Sequence, residues 1–488
     1  MLISHDAHET RVAVLEDRSL VELYVERPKR SVVGNVYLGK VRDVLPGMQA
    51  AFVDIGLEKN AFLYVDEVVS PEDVPGAPRR DIKTLLSPGQ QLMVQVLKDP
   101  MGTKGARVTT EITLPGRFLV LMPFSPFVGL SRKLAPEERD RLSAVIEPLV
   151  PKGVGVIVRT AATGAAEKDL EGDLEFLLRL WNRVRNQARD GLAPEVVYTE
   201  MDLALRLVRD AFGDDIRRMV VDDKRVHEKV TSFLRKTAPR LVKRVHLHKE
   251  RGALFESYGL QGDIDAAVLR TVPLPSGGHI TIDRTEALTA IDVNTGSYVG
   301  RKSLEDTVVR TNLEAATEVV RQLRLRDIGG IIVIDFIDME SPVNRQLVMT
   351  RLTQALERDR TKTRVSEMSR LGLVELTRKN VTDGLYGVLT EPCPTCRGEG
   401  RVLSDTTKRI TVERRLRELL ITGRSSAYLI GLNPGTYALI SAPGRNTVAH
   451  LRADTGKQVN VIADPDVAPT EVRVLIEGKA GTLDLESE

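Results

Sequence analysis

Cysteine is nearly absent: the 488 residues contain two, Cys393 and Cys396. That excludes a disulfide framework and fits a reducing cytosol. Aromatic residues make up 4% of the chain, with one tryptophan, so the few phenylalanines in any one segment stand out. Neither sign of charge is in excess, since 70 Lys and Arg face 68 Asp and Glu for a formal +2. That balance neither supports nor excludes nucleic acid and hides local bias: 217–251 is crowded with Arg, Lys and His, while the tail "DLESE" is acidic. No apolar run is long enough to read as a membrane span. The N-terminus "MLISHDAHETRVAVLEDRSLVELYV" has early acids and no unbroken apolar stretch, so it does not read as a signal peptide. The expectation is a cytoplasmic protein with no membrane partner.

Hydrophobic residues at 42% allow sizeable cores, and the length suggests about three domains. "RVAVLEDRSLVELYVE" at 11–26 alternates apolar and polar and predicts a hairpin. From Gly34 to about Thr110, the short runs "GNVYLGKVRDVL", "AAFVDIG", "KNAFLYVDEV" and "GQQLMVQVLKD" are punctuated by Gly and Pro, which predicts a small five-stranded barrel. Residues 112–203 are mixed, with apolar strands "FLVLM" and "VGVIVRT" and a helical stretch over 169–190. Residues 203–251 read as basic and mostly helical. From Val268 the texture is α/β, and "HITIDRTEALTAIDVN" is strand-like. A helix from about Ser303 sets Val309, Leu313, Ala316, Val320 and Leu323 on one face. Ser303 with Asp306 resembles a capping box. Gly329–Gly330 ends that helix, and "IIVID" begins a buried strand, a β-α-β unit that predicts parallel pairing. "CPTCRGEG" then lies in a connector before about 85 residues of small α/β material.

"TAIDVNTG" sets Asp292 and Asn294 two apart at a strand end, so both side chains share a face. Asp335 ends the apolar strand "IIVID". If these strands are neighbours, the aspartates converge at their C-terminal edge, where open α/β sheets bind ligands. Converging carboxylates repel unless a cation lies between them, and Mg²⁺ suits one or two carboxylates with several waters. Such an ion polarises a phosphodiester and generates hydroxide, with Asn294 placed for the scissile phosphate or the attacking water. The plainer alternative is that each aspartate caps a helix or ends a strand. In the barrel, Phe52 and Phe62 are candidates for stacking bases, with Lys40, Lys98 and Lys104 tracking phosphates; the alternative is that the rings fill its core. Arg159 and Thr160 end the strand "VGVIVRT", a reasonable phosphate site or an ordinary solvated strand end.

Cys393 and Cys396, with glycines just after them, read as half of a tetrahedral zinc site. None of the seven histidines is near them in sequence. The simplest completion is the same pair from a second chain, a two-fold contact. A redox C-x-x-C is the alternative, although that motif is expected near a helix start in a β-α-β pattern.

"AAFVDIGLEKNAFL", "SGGHITIDRTEALTAIDVNTG", "TNLEAATEVVRQLRLRDIGGIIVIDFIDM" and "CPTCRGEG" together resemble the bacterial ribonuclease E/G endoribonucleases, over essentially the whole chain. Without a long C-terminal scaffold tail, the chain resembles the shorter ribonuclease G type. The resemblance implies a multidomain α/β and α+β chain. A ribonuclease-H-like domain (1–33 and 204–267) is interrupted by an OB-fold barrel (34–111) and a 5′-sensor domain (112–203). A DNase-I-like catalytic domain (268–390), a zinc link (391–403) and a small domain (404–488) follow. It implies Mg²⁺ on Asp292 and Asp335 with Asn294 assisting, and RNA contacts at Phe52, Phe62 and Lys104. A 5′-monophosphate reader would comprise Gly116, Val120, Arg159 and Thr160, with Lys362 in "ERDRTKTRVSEMSR" where the family has arginine. It also implies zinc shared between Cys393 and Cys396 of two protomers, a homodimer that can pair further into a tetramer. The implied activity is cleavage of single-stranded A/U-rich RNA, leaving 5′-phosphate and 3′-hydroxyl ends, in ribosomal RNA maturation and mRNA decay. A non-catalytic RNA-binding factor is the rival reading.

Overall fold

The alternating segment does form a hairpin, strands Thr10–Glu16 and Ser19–Glu26. Asp17 and Arg18 turn it at φ 48° and 70°, the positive values that a two-residue turn between twisted strands requires. The computed structural model describes residues 1–27, 31–69, 81–100, 104–250, 252–296, 304–379, 384–396, 398–442 and 447–481. They divide into two compact units, 1–390 and 391–488.

In the first unit the hairpin belongs to a five-stranded sheet ordered Val245–Leu247, Met219–Val221, Leu2–His5, Thr10–Glu16, Ser19–Glu26. Its first two junctions are parallel and its last two antiparallel. Two of these strands fall in 203–251, which was expected to be mostly helical. Helices Leu203–Ala211 and Lys224–Thr237 are present. The strands between and after them are only three residues long, too short for a two-residue period to register.

The barrel is closed by five strands: Val36–Leu45, Ala50–Asp54, Ala61–Tyr64, Arg107–Thr109 and Gln91–Lys98, the last pairing back to the first. Val41, Ala51, Val53, Leu63, Val94 and Val108 fill it, alternating with outward residues as a pleated strand demands. Gly105 is pressed onto the Asn60 carbonyl where a Cβ would stand, so the chain can enter Arg107–Thr109 along this path only with glycine there. Glu195–Tyr198 pairs outside Val36–Leu45. Residues 112–203 also build a four-stranded sheet packed on the helix Glu167–Asp190 through Leu170, Leu174, Leu177 and Trp181.

The third sheet runs Thr271–Pro273, His279–Arg284, Leu288–Asn294, Gly330–Asp335, Leu373–Arg378, Thr363–Val365. One junction is parallel, Leu288–Asn294 against Gly330–Asp335, and the helix Leu304–Leu325 makes the crossover. Ala316, Val320 and Leu323 are buried against the sheet, with Val309 and Leu313 partly so. A fully buried leucine such as Leu323 costs about 2–5 kcal/mol when cut to alanine. Asp327 at φ 49° and Gly330 at φ 92° turn the chain between helix and strand. Ser303, and with it the expected capping box, lies outside the described residues.

The second unit packs Val412, Leu416 and Leu420 of helix Asp405–Thr422 onto the sheet Gln458–Ala463, Ala427–Leu432, Arg473–Gly478. Ser404 caps that helix by accepting from Thr407 N–H, a bond worth about 1 kcal/mol. No described helix is long and apolar enough to cross a membrane.

Candidate active site and nucleic-acid interface

Asp292 and Asp335 are register partners on the parallel strand pair. Neighbouring strands lie about 4.8 Å apart and partners share a face, so the carboxylates stand side by side at the C-terminal edge. Both are exposed. Asn294 Nδ2 donates to Asp292 Oδ2 at 2.7 Å, which fixes the direction of both side chains. Partial burial, then Asp292 and Asp338, push the Asp335 carboxyl above its ordinary range.

Sequence reading missed Asp338, three residues past Asp335 in the same "IDFIDM". It also missed Asn312, whose side chain is wholly buried. Asn312 Nδ2 donates to Ile337 O at 2.8 Å, and Ile337 N–H donates to Asn312 Oδ1 at 3.1 Å. This two-way clamp ties the segment between Asp335 and Asp338 to the crossover helix. The signal was a polar residue four positions before Ala316 on an apolar helix face. Among the described residues no three His, Cys, Asp or Glu gather to hold a metal. A cation at this edge would rest on the aspartate pair and water. That suits Mg²⁺, and two repelling carboxylates in register fit it.

On the barrel, Phe52 and Phe62 are register partners with ring centroids 6.0 Å apart at 69°. Their sequence neighbours Ala51, Val53, Ala61 and Leu63 are buried, whereas the two rings are half-buried. The rings therefore lie on the outer surface rather than filling the core. Tyr64, on the same face, leans against the core cluster. Lys98 and Lys104 are exposed, and Lys40 is half-buried.

Gly116, Arg159 and Thr160 come together at one edge of the sheet of 112–203. Arg159 Nη1 donates to Gly116 O and to Asp210 Oδ1, each at 2.7 Å. Thr160 Oγ1 and Ser131 Oγ lie 2.9 Å apart. Val120 lies one strand over in register with Ile157, opposite the buried face. Gly116 has no room for a side chain because the Asp173 carboxylate, accepting from the N–H groups of Arg117, Phe118 and Leu119, stands where it would go. Burial pushes Asp173 upward against those three bonds. Lys362 is exposed. It follows the segment 359–360, whose carbonyls accept from Lys133 Nζ, two residues beyond Ser131. The arginine site thus has a prior partner that the sequence did not reveal, Asp210. Partial burial works against the charge of Asp210, but Arg209 and then Arg159 hold its carboxyl low.

In the second unit Cys393 is exposed, Cys396 half-buried, and both are free thiols. Backbone N–H groups of Cys396 and Thr395, then the Cys396 side chain, hold the Cys393 thiol low, which favours a thiolate ligand. Gly398 and Gly400 take φ 97° and 70°, and Glu399 N–H donates to Cys396 O at 2.9 Å. The pair therefore sits on a tight knuckle rather than at a helix start, and the next helix begins at Asp405. This geometry fits zinc better than thiol–disulfide exchange.

A family model described as "Ribonuclease E/G family" matches residues 113–381. The chain is 40% identical to Ribonuclease G of Escherichia coli K12 over 473 residues, covering 95% of this chain and 97% of that protein. It is 40% identical to Ribonuclease G of Haemophilus influenzae over 470 residues, 94% and 96% of the two chains. Against Ribonuclease E of Haemophilus influenzae, identity is 38% over 416 residues, 84% of this chain and 44% of that protein.

Proposed function

We propose, for a chain that belongs to the ribonuclease E/G family and is an endoribonuclease, that it hydrolyses single-stranded A/U-rich RNA with Mg²⁺ to leave 5′-phosphate and 3′-hydroxyl ends. The observation that carries the proposal is the Asp292–Asp335 pair on one rung of a parallel ladder. A pure RNA-binding factor has no use for paired carboxylates facing phosphates. Asp292 and Asp335 would hold the ion, which would supply Lewis acidity at the phosphodiester and an acidified water. Asn294 gives one N–H to Asp292, and among the described residues its second N–H and its carbonyl have no partner, so they would meet a phosphate oxygen or a water. Phe52 and Phe62 would stack bases upstream or downstream of the cut while Lys98 and Lys104 meet the backbone.

Gly116, Val120, Arg159 and Thr160 would read a 5′-monophosphate, with Lys362 adding a point charge in place of a fork. The meeting of Arg159 with Gly116, and of Thr160 beside it with Ser131, supports the reading. The five-stranded sheet with two parallel and two antiparallel junctions, the closed barrel and the carboxylate-edged sheet support the ribonuclease-H-like, OB-fold and DNase-I-like assignments respectively. Cys393 and Cys396 from each of two chains would close a tetrahedral zinc site and make a homodimer, with a tetramer as a further step of pairing. Ribosomal RNA maturation and mRNA decay in the cytoplasm are the roles such an enzyme would serve.

The test is cleavage of a 5′-monophosphorylated single-stranded RNA with and without Mg²⁺, mapping both new ends. Cleavage that proceeds equally in Mg²⁺-free buffer, or products with 3′-phosphates, would overturn the mechanism.

A further inference from the structure

We infer that Arg107 is a phosphate contact for the RNA strand, set next to the Phe52–Phe62 stacking pair on the outer face of the barrel. The inference rests on the RNA-binding role proposed above for that face. Four side chains lie along one line across four strands. Phe52 is in register with Phe62, Phe62 with Arg107, and Arg107 with Lys98. Register partners share a face, and the residues flanking Arg107, Ala106 and Val108, are fully buried. Arg107 therefore points outward, as the rings do. At about 4.8 Å per strand the line is about 14 Å long. Two rings occupy one half of it and two cations the other.

The register is broken at the end of this line. Between Val96 and Lys98 the ladder shifts by one residue, so Leu97 and Lys98 stand together opposite Arg107, and both are exposed. Such a bulge re-aims a side chain, here bringing Lys98 onto the face that holds Arg107 and the rings. Stacking tolerates any base, while cations follow the backbone. A ring pair adjoining a cation pair on one surface suits a strand that passes from base contact to phosphate contact.

The bland account is an ordinary surface ion pair. Arg107 Nη2 lies 2.6 Å from Glu67 Oε1, with the two side chains 45% and 25% exposed. A pair this open stabilises a fold little. Glu67 does not depend on it for position, because its backbone carbonyl already accepts from the Thr109 hydroxyl and from Thr110. Among the described residues Arg107 Nε and Nη1 have no partner. Glu67 thus orients the guanidinium and leaves donors free for a second oxyanion.

The experiment measures binding of a 5′-hydroxyl single-stranded oligoribonucleotide by anisotropy, using the full chain, without divalent cations and over a range of salt. Arg107→Ala should weaken binding about five- to tenfold, alike for U-rich and A-rich strands. It should also flatten the slope of log K against log salt by about 0.7, the value of one phosphate on a single strand. Arg107→Lys should keep the slope. Glu67→Gln, which removes the ion pair and leaves the arginine, should bind as tightly as the parent or more so. Phe62→Ala serves as the separate check on the underlying reading. If Phe62→Ala weakens binding and Arg107→Ala does not, the inference fails and the RNA-binding face stands. If neither weakens it, both fall. If Arg107→Ala and Glu67→Gln weaken binding equally and lower the melting temperature together, Arg107 is only a structural partner of Glu67 and the inference fails.

Discussion

Asp292 and Asp335 meet on a single rung of the one parallel strand pair in their sheet, and Asn294, two residues past Asp292, donates a hydrogen bond back to its carboxylate. The arrangement gathers negative charge where nothing in the core demands it. Its cost appears in Asp335, whose carboxyl is pushed up by partial burial and by Asp292 and Asp338.

Replacing Asp292 or Asp335 by asparagine is therefore expected to abolish cleavage and leave RNA affinity nearly unchanged. A loss of about 10³-fold in kcat corresponds to about 4 kcal/mol of barrier. The metal-free variants should be at least as stable as the parent, because one member of a repelling pair is gone. Stabilisation of the parent by added Mg²⁺, read as a rise in melting temperature, should vanish in both. Near-normal turnover at millimolar Mg²⁺ would remove the assignment.

Asn312→Ala should act through the loop rather than through the metal edge itself. It leaves the N–H and carbonyl of Ile337 without their partner, and unmade buried bonds cost about 1–3 kcal/mol each. The expected outcome is a destabilisation of about 2–4 kcal/mol in denaturant, with kcat falling more than KM rises as Asp335 and Asp338 lose their fixed spacing. An unchanged denaturation midpoint would show that the loop holds itself.

The aspartate edge could be read in the sequence because both residues end apolar strands and the period of two fixes their face. The crossover helix could be read from Ala316, Val320 and Leu323. What stayed hidden was non-local. The strands Met219–Val221 and Val245–Leu247 exist because Leu2–His5 offers an edge to Met219–Val221, which in turn pairs with Val245–Leu247, and no three-residue pattern announces that. Arg107 looked like any surface arginine, since its line is assembled from strands far apart in sequence. Asp210 as the partner of Arg159 crosses 51 positions, and Asn312 looked like a polar interruption until Ile337 was placed beside it.

Arg159 has to leave or share Asp210 to meet a phosphate. Arg159→Ala should therefore erase any rate advantage of 5′-monophosphorylated over 5′-hydroxyl RNA, while Asp210→Asn should keep the advantage. Asp210 also predicts a pH effect. Its folded pKa is depressed, so the stability it adds is present above the unfolded carboxylate value of about 3.9 and is lost as pH falls through the folded value. Acid should then destabilise the parent more steeply than Asp210→Asn, measured as melting temperature from pH 6 downward (about the range where carboxylates begin to titrate). Equal slopes would mean that Asp210 is not ionically held.

The last expectation joins metal to assembly. Cys393 and Cys396 would supply two thiolates, and the knuckle already holds the Cys393 thiol low; a structural zinc takes four ligands. Among the described residues no group of three His, Cys, Asp or Glu is placed to complete the set. Cys393→Ser with Cys396→Ser should then lose zinc and dimer together, because serine oxygen is a harder and far less acidic ligand that does not hold zinc at neutral pH. Binding and association are linked by mass action, so a chelator should shift the parent toward monomer, and added zinc should return it. The unit 391–488 should keep its fold in the variant, since its core of Val412, Leu416, Leu420 and Tyr428 does not involve the cysteines. Zinc analysis paired with light scattering provides the measurement. A ratio near one zinc per two chains in a dimer is the expected result, and one zinc per chain in a monomer would place the missing ligands within the same chain.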